Sequence, residues 1–352
     1  MIFAVAGYMG TGSSAVVNLL EEYSNCTTAG LTKMEHIVFY TPHGLFDLED
    51  RLLLNNTIHN SDAAISEFYS EMQRLNNNDF GWCGGFQKRY GNQFIELVEA
   101  FLEELVEFRQ KGFWSYDFIE KKRTIKGIIK DSVKLQFKKK DEFGQRIKMK
   151  HDNEIKYSFI TAERFYVAAK KFVYGYFDMI LQGSNKHLIL NQVLLPQNLY
   201  RLSRYFEDDL RVVVCQRDAR DMFILSKYIW PNMGCEVLMP SEVNEFIRFY
   251  CGLRKTENRI DDFKIKRIWF EDLVYCYDKT VRDLEEFLGL ESQHHEFQKK
   301  YFEPEKSIHN TQNFLIQNEW NREVASIGKK LPEMIYEFPY PVYNSLNQTF
   351  DK

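Results

Sequence analysis

The chain has no long apolar run. No stretch approaches the roughly 20 residues that a membrane span requires, and no basic-plus-apolar leader precedes the first apolar residues. The six cysteines, at 26, 83, 215, 235, 251 and 276, form no C-x-x-C pair. None has zinc-like spacing with histidine either. Scattered thiols of this kind fit a reducing compartment. With no signal peptide and no room before the first strand for an anchor, the expected location is cytoplasmic. Basic charge is not in excess. With 46 Lys and Arg against 50 Asp and Glu, the net charge is −4, which argues against a nucleic-acid-binding coat. Internal repeats and low-complexity linkers are also absent.

What is present is a large apolar content, 44% of 352 residues, enough for a sizeable core in one large or two smaller domains. Aromatics reach 15%, read mainly as core with some left for stacking on rings.

The organising stretch is the first fourteen residues. Ile2 to Ala6 reads as a buried strand. Glycines follow at 7, 10 and 12, and Ser13 and Ser14 open a segment with Val16, Leu19, Leu20 and Tyr23 at helical spacing. Strand, glycine loop and helix together can cradle a phosphate on backbone N–H groups and a helix N-terminus. The alternative is a tight turn with no ligand. Gly7-x-x-x-x-Gly12 has the Walker A spacing, yet Ser13 stands where that loop needs lysine. An ordinary ATP or GTP hydrolase would lack its phosphate-bridging cation.

Further strands are expected near 35–40, 187–191, 211–215 and 265–270, separated by helical patterns. The expected helices include Phe94 to Phe108, Thr161 to Leu181, Asp218 to Tyr228, Ser241 to Asp261, and Asp278 to Leu288 closed by Gly289. Strands alternating with helices predict a parallel sheet. Residues 45 to 130 are mostly helical in pattern. Val133–Lys139 and Arg146–Lys150 predict a β-hairpin rich in lysine, either a solvated face or a basic lip for an anionic acceptor. The middle region is expected to lie over the C-terminal edge of the sheet and to build the acceptor pocket.

Val212-Val213-Val214-Cys215-Gln216-Arg217-Asp218-Ala219-Arg220-Asp221 delivers Arg217 at the end of a buried strand, the edge at which open α/β sheets bind ligands. Arg217 and Arg220 could instead be paired with Asp218 and Asp221. The run, followed by a helix containing Ser226, resembles the 3′-phosphate-binding segment of sulfotransferases, which use 3′-phosphoadenosine-5′-phosphosulfate (PAPS). Tyr8 to Ser14 resembles that family's 5′-phosphosulfate loop. Ile268-Trp269-Phe270-Glu271-Asp272-Leu273, with Phe287-Leu288-Gly289-Leu290, resembles its later strand and helix, and Ser307 to Thr311 is similar to a late loop of bacterial members. These pieces occur in family order at the two ends of the chain. Residues 45–185 match nothing in it.

The resemblance implies a three-layer, P-loop-NTPase-like α/β fold with a central parallel sheet. Residues 1–352 would be a single sulfotransferase-like domain, and 45–185 a mostly helical insertion carrying the hairpin. It implies PAPS as co-substrate with no metal, and a carbohydrate or small-molecule acceptor. Gly10, Thr11, Gly12, Ser13, Ser14, Arg217 and Ser226 would hold the nucleotide. His36 or Glu35 on the second strand would be the base, with the apolar register favouring His36. His43, His187 and His309 are further candidates by residue type.

Two features depart from the family. Gly10 stands where a Lys or Arg is usual; Lys33, Lys88 and Arg89 are substitutes by type only. The family's serine would fall at Leu225, one residue before Ser226. A non-catalytic nucleotide-binding protein on the same fold and a P-loop kinase are the other readings.

Overall fold

The computed structural model describes residues 1–112, 153–234, 239–257 and 262–345. The predicted lysine hairpin lies outside them. Among the described residues there are seven strands: β1 (Ile2–Gly7), β2 (Cys26–Thr27), β3 (Phe108–Gly112), β4 (Asn153–Tyr157), β5 (His187–Asn191), β6 (Leu210–Gln216) and β7 (Ile265–Trp269). The helices that matter here are α1 (Ser13–Glu21), α2 (Ile58–Asn77), α3 (Gln93–Leu105), α4 (Ala162–Leu181), α5 (Ala219–Ile224), α6 (Val243–Lys255), α7 (Phe270–Tyr275), α8 (Tyr277–Leu288) and α9 (Pro304–Ser307).

Five strands form one parallel sheet in the order β2-β5-β1-β6-β7. Every residue of β1 is buried, as its unbroken apolar run requires of a central strand covered on both faces. Its side chains alternate between two cores. Ile2, Ala4 and Ala6 face a cluster with α2, α3 and α4, whereas Phe3 and Val5 face one with α1, α7 and α8. Helix, sheet and helix therefore make three layers. Connections run to opposite sides of β1, so its C-terminal end, between β5 and β6, is the switch point where a crevice opens. No helix among the described residues is long and apolar enough to cross a membrane.

The helices of the middle region do not roof the sheet edge as expected. Phe68, Phe101, Phe165, Phe172 and Tyr176 pack with the Ile2 face of the sheet, making one of the two outer layers. β3 and β4 pair as a separate antiparallel ribbon.

The strand expected at 35–40 is not formed. Contact with the sheet's backbone is limited to an isolated bridge of Glu35 to Asn191, in which His36 N donates to Asn191 O at 3.1 Å. Residues 37–40 turn, with Thr41 N bonded to Ile37 O at 2.9 Å. The carbonyls of Val38 and Phe39 receive the N–H groups of Leu45 and Phe46, which open the next helix. The physical reason is that a short apolar run buried on all sides has the same pattern in a strand as in a packed turn. The sheet's outer strand is instead Cys26–Thr27.

Candidate functional site

After Gly7 the chain closes a tight loop. Thr11 N and Oγ1 both donate to Tyr8 O, at 3.1 and 2.8 Å. Gly10 and Gly12 take positive φ, 77° and 93°, a conformation strained for any residue with a Cβ. Contact disfavours a side chain as well. A Cβ on Gly10 would overlap the Trp230 ring, and one on Gly12 would lie 2.7 Å from Phe270 Cδ2. A basic side chain at position 10 would strain the backbone and displace the Trp230 ring. No side chain caps α1, so its first N–H groups remain available to an anion.

Arg217 emerges from the end of β6, only 3% exposed. Its Nη1 donates to Gly10 O at 3.1 Å and its Nη2 to Asn310 O. The guanidinium lies over Phe270, 4.8 Å from the ring centroid. Its Nε is buried without a partner. A cavity of about 650 Å³ opens here, lined by Gly10, Gly12, Ser14, Arg217, Trp230 and Phe270. Its far side is Tyr301, Phe302, Glu303, Lys306, His309 and Asn310.

Three buried acids stand behind Arg217. Asp218 caps α5 and pairs with Arg220 Nη2 at 2.6 Å. Glu271 Oε1 accepts Asp218 N at 3.0 Å, and Asp221 Oδ2 accepts Gln312 N at 2.8 Å. Arg220 thus pairs with Asp218, not with Asp221. Burial, reinforced by Asp218 and opposed by Arg217, pushes Glu271 up to about 8. Asp221 is raised for the same first reason.

An acid whose folded pKa is raised binds more protons folded than unfolded, so it destabilises the fold as pH climbs toward the folded value. The wild-type melting temperature should fall as pH rises from 4.5 to about 8, and Glu271→Gln should flatten that slope. Equal slopes in a thermal melt series would show that Glu271 is already ionised.

The far wall is held by α1. Glu22, wholly buried, accepts Tyr301 N and Phe302 N at 2.9 Å, Lys299 N at 3.0 Å, and bonds His295 Nε2 at 2.9 Å. Burial raises its pKa, but those four hydrogen bonds outweigh it and hold the carboxyl below its ordinary value. One end of α1 faces the cavity and the other clamps the opposite wall.

No protein-family model and no curated protein matches the sequence. Two solved structures do. One is a sulfotransferase domain from the curacin biosynthetic pathway, 13% identical over 99% of this chain and 95% of its own, with a TM-score of 0.37. The other is the sulfotransferase STF9 from Mycobacterium avium, 12% identical over 97% of this chain and 78% of its own, with a TM-score of 0.39. At this identity and overlap no residue's role is carried over from either.

The expected site residues divide. Gly10, Gly12, Ser14 and Arg217 meet at the cavity. Thr11 is buried within the loop, where its carbonyl accepts the Cys215 thiol at 3.0 Å. Ser13 Oγ accepts from Gln192 Nε2 at 3.3 Å, and the same Gln192 takes Gly7 N through Oε1. Ser226 lies just inside a wide π turn, Leu225–Ile229, that continues α5; its hydroxyl is buried without a partner and does not line the cavity.

Neither expected base lines the cavity. His36 is in the aromatic core, 1% exposed, with Nδ1 2.8 Å from Tyr176 OH. Burial pushes its pKa down to about 3, so it does not titrate near neutral pH. Glu35 sits half-buried at the sheet edge, raised by burial and opposed by Tyr40. Lys33 is exposed, and Lys88 and Arg89 face Asp79 at 4.0 and 3.6 Å; none of the three lines the cavity.

Sequence reasoning missed Trp230, Lys306 and Glu22. Trp230 follows the π turn, and its N–H reaches Leu225 O five residues back at 2.9 Å. No residue pattern announces that wider register. Lys306 adjoins the Ser307–Thr311 segment already singled out, and that proximity was the available signal.

Proposed function

We propose that this chain transfers a sulfuryl group from PAPS to a hydroxyl or amine of a carbohydrate or small-molecule acceptor. The observation that carries the reading is Arg217. A buried guanidinium, held between the glycine loop and the Asn310 carbonyl, borders a cavity with two of its five N–H bonds committed to those carbonyls. Such a group suits a phosphate, whose oxygens accept charge-assisted hydrogen bonds. The loop amides and the start of α1 suit a second anion at the other end of the same ligand. Two anion sites bordering one cavity fit a nucleotide phosphorylated at both ends of its sugar.

In this reading Arg217 holds the 3′-phosphate and Gly12 to Ser14 hold the 5′ end. Charge developing on the leaving phosphate oxygen is stabilised by preorganised donors. Lys306, which lines the cavity and pairs with Glu303 at 2.7 Å, can turn to that anion in place of the side chain that Gly10 lacks. Ser226 remains a candidate for the 3′-phosphate only if the π turn rewinds.

The Trp230 ring over Gly10 favours a second reading, a protein on this fold that binds the nucleotide without transferring from it. A kinase fits less well, because Ser13 replaces the Walker lysine. Adenosine 3′,5′-bisphosphate should raise the melting temperature, and ATP with magnesium should not; the reverse pattern would favour the kinase. Radiolabelled sulfate transfer from PAPS then separates the enzyme from the binder.

A further inference from the structure

Among the described residues one imidazole lines the cavity, and its surroundings fix which nitrogen is free. We propose that His309, positioned by Asn344, is the general base that takes the acceptor's proton; this rests on the sulfotransferase reading above.

His309 lies in the short turn Ile308–Asn310 after α9 and lines the cavity. Its Nδ1 is 3.0 Å from Asn344 Oδ1. Either end of an amide could face a ring nitrogen, but here the other end is committed. Asn344 Nδ2 donates to Thr311 O at 2.7 Å, so the oxygen is what faces the imidazole. A carbonyl oxygen only accepts, so Nδ1 must carry the hydrogen. In the neutral ring Nε2 is then the bare lone pair. A base oriented by a hydrogen-bonded partner is the arrangement that activates a nucleophile.

The turn is also held in place. Thr311 Oγ1 meets Tyr275 OH at 2.6 Å, Gln312 N donates to Asp221 Oδ2, and Arg217 donates to Asn310 O. Asn344 is itself buried. The other charged groups lining the cavity, among the described residues, are Arg217, Glu303 and Lys306. His36 has neither a place at the cavity nor a carbonyl partner for its side chain, which meets the Tyr176 hydroxyl.

In the step itself, the acceptor oxygen forms a bond to sulfur as its proton passes to His309 Nε2. The bond from sulfur to the bridging oxygen of the 5′-phosphate breaks, and its electron pair stays on that oxygen. Adenosine 3′,5′-bisphosphate leaves, and the imidazolium returns its proton to solvent.

The test needs no knowledge of the acceptor, because water can stand in for it. Release of labelled sulfate from PAPS is followed beside calorimetric binding of adenosine 3′,5′-bisphosphate. His309→Ala should lower turnover by about 10²–10⁴-fold, the usual loss for a general base, with bisphosphate affinity unchanged. His309→Gln, which keeps a partner for Asn344, should lose turnover equally and rules out misfolding as the cause. Asn344→Asp places a carboxylate against the ring and favours the imidazolium. It should therefore move the acid limb of the pH–rate profile to higher pH.

Normal turnover in both His309 variants overturns the proposal. So does a loss confined to bisphosphate affinity, which would make the imidazole a phosphate ligand. A wild-type protein that fails to bind the bisphosphate overturns the sulfotransferase reading itself, and this inference with it.

Discussion

Arg217→Ala should weaken binding of adenosine 3′,5′-bisphosphate by about 10- to 150-fold, while a nucleotide without the 3′-phosphate loses far less. The magnitude is that of a lost charge-assisted hydrogen bond, about 1.5–3 kcal/mol. The asymmetry between the ligands follows from position. Arg217 stands at the end of β6, and its Nη1 and Nη2 are already committed to the Gly10 and Asn310 carbonyls. What it offers a ligand is the second N–H on each of Nη1 and Nη2, and its charge. Burial raises the pKa of both Glu271 and Asp221 behind it, and Asp218 is paired with Arg220, which weakens the competition for that charge. Arg217→Lys is the useful companion. It retains the charge but not the planar fork that spans two carbonyls, so it should recover part of the affinity. Calorimetry with both nucleotides decides. Equal weakening of the two would mean that Arg217 supports the loop without reading the 3′-phosphate.

Glu22→Ala should be the most destabilising single change at the site, by about 3–5 kcal/mol, the range for removing one partner of a buried charged pair. The carboxylate collects three backbone N–H groups, from Lys299, Tyr301 and Phe302, together with His295 Nε2. Alanine leaves those donors buried with nothing to accept them, at about 1–3 kcal/mol for each such group. His295 also stacks on Tyr23 with centroids 4.3 Å apart, so its displacement disturbs the end of α1. Because Tyr301 and Phe302 line the cavity, nucleotide affinity should fall with stability. Glu22→Gln keeps an accepting oxygen and should cost less. Urea denaturation measures the difference; a loss below about 1 kcal/mol would mean that water replaces the carboxylate without difficulty. The depressed pKa sets the sign with acid. Stability contributed by Glu22 is present above its unfolded value and is lost as pH falls through the lower folded one.

Much of the frame could be read from local pattern. Ile2–Gly7, His187–Asn191 and Leu210–Gln216 carry apolar runs that are buried within the sheet, whereas the edge strand Ile265–Trp269, with Lys266 and Arg267 inside it, was legible mainly from its place between helical patterns. Arg217 was legible because its place at a strand end is a local fact. Residues 36–40 were not, because their burial comes from helices far along the chain, and an apolar run does not reveal whether its partners are strands or helices. His36, expected on that strand, lies instead in the aromatic core against Tyr176.

The site's supports were illegible for a related reason. Glu22 and Tyr301 are 279 residues apart, and nothing in the spacing of either announces the other. The π turn after α5 has ordinary helix-forming residues, yet its extra residue decides where Trp230 lands and so why position 10 is glycine. His309 was visible as a residue type and as part of the Ser307–Thr311 segment, but not as an oriented base. Its tautomer depends on Asn344, and through it on the Thr311 carbonyl.

The most direct measurement is a crystal structure of the protein with adenosine 3′,5′-bisphosphate. The account predicts the 5′-phosphate on the amides of Gly12 to Ser14, the 3′-phosphate on the Arg217 guanidinium, and the nucleotide within the cavity between Trp230 and Phe302. A bisphosphate bound elsewhere, or one whose 3′-phosphate makes no contact with Arg217, would contradict it.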